Sequence, residues 1–283
     1  MLKFENNDNT ASFEIEKTPT PGLWDDLEFD FTGIASEDYT RMVIFFDFNG
    51  SNAQDWYLDD VIRVISGAAG LSSNLPIIII NTDEEIQDEP KIHGLMKVID
   101  NGPGQINNEN DTANDYDGHI GIEIRGQSSQ MFPKKSYAVE TRDENGDNLN
   151  VSILGMPEEN DWILYAPYSD KSMLRNYISY YIGRQLRTYA TRTAYCELIV
   201  NGEYRGVYIL LEKIKKDGGR VDIASLNPQD ISGDELTGGY IIKVDKKDED
   251  FQYGEDGWLS APEPSYPNAM DITFQFYYPK AEE

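Results

Sequence analysis

Gly121-Ile122-Glu123-Ile124-Arg125-Gly126-Gln127-Ser128-Ser129-Gln130-Met131-Phe132-Pro133-Lys134-Lys135-Ser136-Tyr137 is the stretch on which the reading of this chain turns. Apolar residues alternate at Ile122 and Ile124, small and polar residues follow, and a second alternating segment opens at Ser136. That pattern is strand, tight loop, strand. A Gly/Ser loop lets backbone N–H groups and hydroxyls approach phosphate oxygens, and a lysine on the next strand neutralises their charge. The candidate phosphate cradle is therefore Arg125, Gly126, Ser128 and Ser129, with Lys134 and Lys135. Strand alternation sets Lys135 on one face with Tyr137 and Val139, and Lys134 on the other with Ser136 and Ala138. Only one lysine then faces a cleft, and Lys135 is expected to be that one. A β-hairpin with surface cations is the plainer account of the same residues.

Downstream, Asp170-Lys171-Ser172 can cap a helix over Asp170–Leu186, with Leu174, Ile178, Tyr181 and Ile182 at helical spacing. Tyr195–Val200 and Tyr204–Leu211 flank Asn201-Gly202, the type I′ turn pair, and read as a hairpin. Ile272–Tyr278 is strand-like. Upstream, Leu75–Asn81 reads as a buried strand and Asn101–Gly118 as a polar loop. Within that loop Gly102-Pro103-Gly104-Gln105-Ile106-Asn107 lacks the last glycine of a dinucleotide fingerprint, and no helix pattern follows. Asp111, Asp115 and Asp117 fail the EF-hand spacing, so a solvated loop is expected there and no metal site. Ser66–Asn74 suits a linker. Before it, Ala11–Lys17, Leu23–Phe31, Arg41–Phe48 and Trp56–Ile65 read as strands divided by turn residues. Two domains are expected: an all-β segment over residues 1–70 and the main domain over 71–283.

Composition narrows the function. The 283 residues are 39% hydrophobic and 12% aromatic, enough to build a core. Fifty-one acidic against 24 basic residues give a net charge of −27, a sign that repels nucleic acid. Solubility or a saline surrounding explains such a charge before any specific partner does. No apolar run approaches the length of a membrane span. One cysteine excludes an internal disulfide and a Cys-rich zinc site, and two histidines, His93 and His119, leave little for His-based metal sites or Ser-His-Asp catalysis. There is no Gly-Lys pair for a Walker A loop and no His-Glu-x-x-His.

The opening stretch, followed by Leu154-Gly155-Met156-Pro157, Asn160–Tyr168, Asp170–Asn176, Cys196–Tyr208, Glu212–Asp217 and Thr237–Asp245, resembles the kinase family named after spore coat protein H (CotH). The resemblance runs from about Leu75 to Lys246 with the motifs in family order. It implies an α+β, atypical protein-kinase-like lobe of antiparallel sheet plus helix, preceded by the small all-β segment. It also implies ATP and Mg²⁺ or Mn²⁺ as cofactors, and Ser or Thr of a secreted or surface protein as acceptor. On that likeness Lys135 is the catalytic phosphate-binding lysine, and the adenine-contacting hinge falls near Leu211–Ile214, with Glu212 and Ile214 in cofactor-binding positions. The helix carries no Glu to pair with the lysine, which leaves Glu140 or Glu197 for that role.

The family's metal-binding Asn-x-Asp and Trp-Asp-x-Asp stretches have no counterpart after Asp245. The metal ligands are thus expected outside this sequence, the domain is expected to be incomplete at its C-terminus, and the fragment is expected to be inactive by itself. Asp55–Val61 resembles the last strand of galactose-binding-like jelly rolls, which makes residues 1–70 a partial carbohydrate-binding-like sandwich and polysaccharide a further partner. An extracellular or cell-surface location follows, with a signal peptide expected upstream. The rival reading is a noncatalytic extracellular carbohydrate-binding or structural protein.

Overall fold

The computed structural model describes residues 2–5, 12–15, 41–44, 70–186, 188–245, 247, 251–260 and 271–280. The chain divides into two units, Met1–Val61 and Ile62–Glu283. In the first, β1 (Leu2–Glu5) pairs antiparallel with β2 (Ser12–Ile15) and with β3 (Arg41–Ile44). The expected strands Leu23–Phe31 and Trp56–Ile65, the jelly-roll-like Asp55–Val61 and the first part of the Ser66–Asn74 linker lie outside the described residues.

In the second unit β4 (Ser72–Ser73) pairs with β7 (Asn107–Asn108) in a two-strand ladder. The main sheet is built from β5 (Ile77–Thr82), β6 (Ile92–Ile99), β8 (Tyr116–Arg125), β9 (Ser136–Arg142), β10 (Asp161–Tyr165), β11 (Thr193–Val200) and β12 (Glu203–Glu212). These seven strands close on themselves in the order β10-β12-β11-β5-β6-β8-β9. Only the β11–β5 contact is parallel. The ring closes because β10 pairs on one side with β12 (Leu164 opposite Leu210) and on the other with β9 (Leu164 opposite Tyr137). A short helix-like turn, Ser128–Met131, links β8 to β9.

This overturns the expected α+β kinase-like lobe. The described residues are mostly β around a closed barrel, and the one substantial helix among them is α1 (Arg175–Gln185). The physical reason is that β6, with buried and exposed residues alternating from Ile92 to Val98, extends the sheet, and β10 then has a partner on each edge. A sheet that pairs at both ends has no edge left to cover.

Alternate residues fill the interior. Ile78, Ile80, Met96, Val98, Ile120, Ile122, Val139, Trp162, Leu164, Leu198 and Leu210 form its core with Tyr137 and Tyr208. Cys196 belongs to this core, and burial, with Glu197 beside it, pushes its thiol up to about 12. The hairpin between β11 and β12 turns at Asn201 (φ 52°) and Gly202 (φ 77°), the paired positive angles that a type I′ turn requires.

α1 packs outside the barrel. The helix starts at Arg175, five residues later than expected, with Leu174 at the N-cap and no side-chain cap bond; Asp170 accepts the N–H of Arg175 at 2.9 Å from outside the cap position. Tyr180 meets Ile163, Ile209 and Leu211, and Tyr177 stacks on Tyr195 at 5.1 Å. The expected packing residues Leu174, Ile178, Tyr181 and Ile182 are instead exposed. Beyond β12 come the four-residue α2 (Asp234–Thr237) and a three-stranded sheet, β13 (Ile241–Lys243), β15 (Thr273–Tyr278) and β14 (Gly257–Leu259), with β15 central.

Candidate functional site

The loop that leaves β8 lies at the barrel mouth lined by Tyr137 and Tyr208. Arg125 is the last residue of β8 and is exposed. Gly126 follows with φ 108°, and a Cβ there would sit 2.0 Å from the Ser129 hydroxyl, so the reversal admits only glycine. The turn is then braced by Phe132 N–H donating to Ser129 O at 3.1 Å.

Both lysines stay near this mouth. Lys135 Nζ donates to the Gln130 carbonyl at 2.5 Å, and its own carbonyl accepts the Tyr208 hydroxyl at 2.8 Å. Lys134 Nζ donates to Val207 O at 2.8 Å and lies 4.8 Å from the Tyr208 ring centre. Both lysines precede the first paired residue of β9, Ser136, so strand alternation does not govern them. Arg125, Gly126, Ser128, Ser129, Lys134 and Lys135 are thus brought to one loop and its flanks.

Glu212 and Ile214 lie apart from that loop. Glu212 ends β12 opposite Trp162, and its side chain is 0% exposed. It accepts from Arg192 N and Arg192 Nε, each at 2.9 Å. Ile214 is exposed. The two glutamates considered as lysine partners have other contacts. Glu140 is held by Arg142 at 2.7 and 2.9 Å, and Glu197 accepts from Ser73 Oγ at 2.8 Å and Tyr204 OH at 2.5 Å. In the polar loop Asp115 accepts Leu154 N–H at 2.9 Å. Among the described residues no three His, Cys, Asp or Glu side chains gather as a metal site. The carboxylate set that Mg²⁺ or Mn²⁺ takes is therefore not met by them.

The opposite mouth holds a buried charge network that the sequence reading missed. Arg220, with its side chain 1% exposed, lies 5.2 Å from the Trp162 ring. Its Nη1 donates to Lys213 O at 2.6 Å and pairs with Glu159 at 3.2 Å, while Nε stands 4.0 Å from Glu212. Lys215 bridges Glu159 at 2.6 Å and Asp161 at 3.0 Å, and Lys213 reaches Asp161 at 3.3 Å. Nothing in spacing foretells this set, because its members are separate in sequence and meet only when the barrel closes. Tyr277 on β15 lies within electrostatic reach of both sides: burial and Asp161 push its phenol up, against the opposing pull of Arg125, Lys280 and Lys215.

The network fixes the sign of a pH effect. Burial would raise Asp161, but Lys213 and Lys215 outweigh it and hold the carboxyl below its usual value. Burial would lower Lys215, but its bonds to Glu159 and Asp161 outweigh that and raise it. A lowered carboxyl stabilises the fold above its unfolded pKa, about 4, and that contribution is lost as pH falls through the folded value. A raised ammonium stabilises below its unfolded pKa, about 10.4, and its contribution is lost as pH rises through the folded value. Urea midpoints measured from mildly alkaline to acidic pH should therefore fall on the acid side, and less steeply in Asp161→Asn. Superimposable acid limbs for the two proteins would contradict the assignment.

A search of the curated proteins finds no match. The sequence model of the family described as CotH kinase protein matches residues 122–271, which takes in the Arg125–Lys135 loop, α1, the β11–β12 hairpin and the buried network. That match covers more than half of the chain, and on it the chain belongs to the CotH kinase protein family.

Proposed function

We propose that the chain binds ATP at the Arg125–Lys135 loop and supplies the nucleotide-binding part of phosphoryl transfer to Ser or Thr of secreted or surface proteins, a reaction for which these residues alone are not sufficient. The observation that supports this reading most is the tight Gly126 turn with Lys135 folded onto its Gln130 carbonyl, beside exposed Arg125. In a chain of net charge −27, cations and hydroxyls at one turn offer phosphate oxygens a local exception to the surrounding repulsion. Arg125 gives a planar donor pair, Lys135 a compact charge, and Ser128 and Ser129 hydroxyls that can donate. When bound, ATP supplies the transferable phosphoryl group; the chain's own residues hold and orient it.

Calorimetric titration with ATP tests the binding step. Lys135→Ala should weaken binding at least tenfold, and Gly126→Val should do the same by straining the turn. Equal affinity in Lys135→Ala, or no binding by the unaltered chain at millimolar ATP, would refute the site. Phosphoryl transfer depends chiefly on positioning and on charge neutralisation by metal. Radiolabelled ATP with Mg²⁺ or Mn²⁺ and a generic protein acceptor should therefore show no transfer by residues 1–283, which lack the Asn-x-Asp and Trp-Asp-x-Asp carboxylates. Robust transfer abolished by Asp245→Ala would place the catalytic centre at Asp245.

A further inference from the structure

The chain has two histidines, and the fold brings them together. His93 on β6 and His119 on β8 project from the outer face of the barrel, where Leu95 is the register partner of His119 and Gly121 that of His93. His93 Nε2 and His119 Nδ1 stand 2.9 Å apart, with ring centres 5.2 Å apart and planes tilted by 39°. The two rings share one hydrogen bond across an exposed surface. From these observations we propose that His93 and His119 form a bidentate site for a borderline divalent transition cation, of the Cu²⁺ and Ni²⁺ class, with water completing the shell.

Imidazole nitrogens bind such ions at about 2.0–2.1 Å. The rings now face each other end to end, so binding turns each ring about its terminal torsion, which is broad for histidine, until both nitrogens converge on the ion, and the proton of the shared hydrogen bond moves to the donor ring's other nitrogen. Imidazole donors suit Cu²⁺ and Ni²⁺, and Cu²⁺ heads the affinity order of the first-row divalent ions. The pair is fixed by β6–β8 ladder pairing on either side, so little backbone order has to be gained.

The surrounding charge permits a cation. Arg142 is the register partner of His119, and its guanidinium lies against Gly121, but Glu140 holds it at 2.7 and 2.9 Å. Asp117, exposed and two residues before His119 on the same strand face, adds a carboxylate to that side of the barrel. The net charge of −27 acts in the same direction.

The test is a calorimetric titration of the full chain with NiCl₂ in excess Mg²⁺, which occupies surface carboxylates without competing for imidazole. One Ni²⁺ per chain is expected. His93→Gln and His119→Gln should each weaken binding at least tenfold, and the double variant should be no weaker than the weaker single, because either loss ends chelation. Cu²⁺ should bind more tightly than either Ni²⁺ or Zn²⁺. In electron paramagnetic resonance the Cu²⁺ form should show coupling to two nitrogens, reduced to one in either single variant. Both histidines are at the surface, so unchanged melting of the variants shows that folding is intact. Full-affinity Ni²⁺ binding by either single variant, or no binding by the unaltered chain below millimolar Ni²⁺, would overturn the proposal.

Discussion

Arg220→Leu should destabilise the barrel by about 3–5 kcal/mol, the range for removing one partner of a buried ion pair. The loss falls on the carboxylates left behind rather than on the pair itself. Glu159 is 3% exposed and Glu212 is wholly buried; without Arg220 the first keeps Lys215 and the second keeps Arg192. The variant also gives up the Nη1 bond to Lys213 O and the contact with the Trp162 ring. Two buried Arg220 nitrogens, Nε and Nη2, make no hydrogen bond among the described residues, so the native arrangement is itself imperfect. Adding Glu159→Gln to Arg220→Leu should recover part of the deficit, because a neutral amide costs less to bury than an unpaired carboxylate. Urea unfolding measures both. A deficit under about 1 kcal/mol for Arg220→Leu would mean that Lys215 and Arg192 suffice and that Arg220 is dispensable.

Trp162→Ala should cost a similar amount, about 3–5 kcal/mol, as large-to-small replacements in a core do. Trp162 is 1% exposed and heads the fully buried side chains; its backbone pairs with Val139 on β9 and Glu212 on β12. Its indole N–H donates to Glu159 O at 3.1 Å, so the loss reaches the charge network. Because Trp162 and Arg220 touch, their effects should not add: the double variant should lose less than the sum. Strict additivity in thermal or urea unfolding would show that ring and guanidinium stabilise the fold independently.

Much of the barrel was legible because its strands carry strong local signals. Ile122 and Ile124 alternate into β8, and Asn201-Gly202 names its own turn. Closure was not legible. It depends on five residues, Asp161–Tyr165, pairing on both sides, and register over such separations leaves no local mark. β6 was passed over although Ile92, Met96 and Val98 alternate with exposed residues. The helix was found but its packing face misread: Leu174, Ile178, Tyr181 and Ile182 keep helical spacing, yet two tyrosines, Tyr177 and Tyr180, make the contacts. Tyrosine has an apolar body and a polar tip, so it suits the rim of a barrel wall as well as an aliphatic residue does. At the Arg125–Lys135 loop, proposed to hold phosphate, strand alternation could not place Lys134 and Lys135, because both lie before the β9 ladder. Glu212 falls in a family-like stretch, but nothing local ties it to Glu159 and Arg220, because buried ion pairs are chosen by geometry rather than by spacing.

If the proposed protein acceptor is taken up by this chain, closure of the barrel limits how its polypeptide can be engaged. Many recognition domains take an extended peptide as one more strand, using the unpaired N–H and C=O row of a sheet edge. The seven-stranded ring has no such row, since every strand already has two neighbours. A peptide presented to its wall would meet side chains only, and on a chain so acidic those favour basic sequences. In the described part of the main unit outside the ring, free backbone edges occur on three-residue β13 and β14, which flank β15, and on two-residue β4 and β7. Each is too short to hold more than a residue or two in register, so side-chain chemistry rather than strand addition would have to select the hydroxyl that is presented.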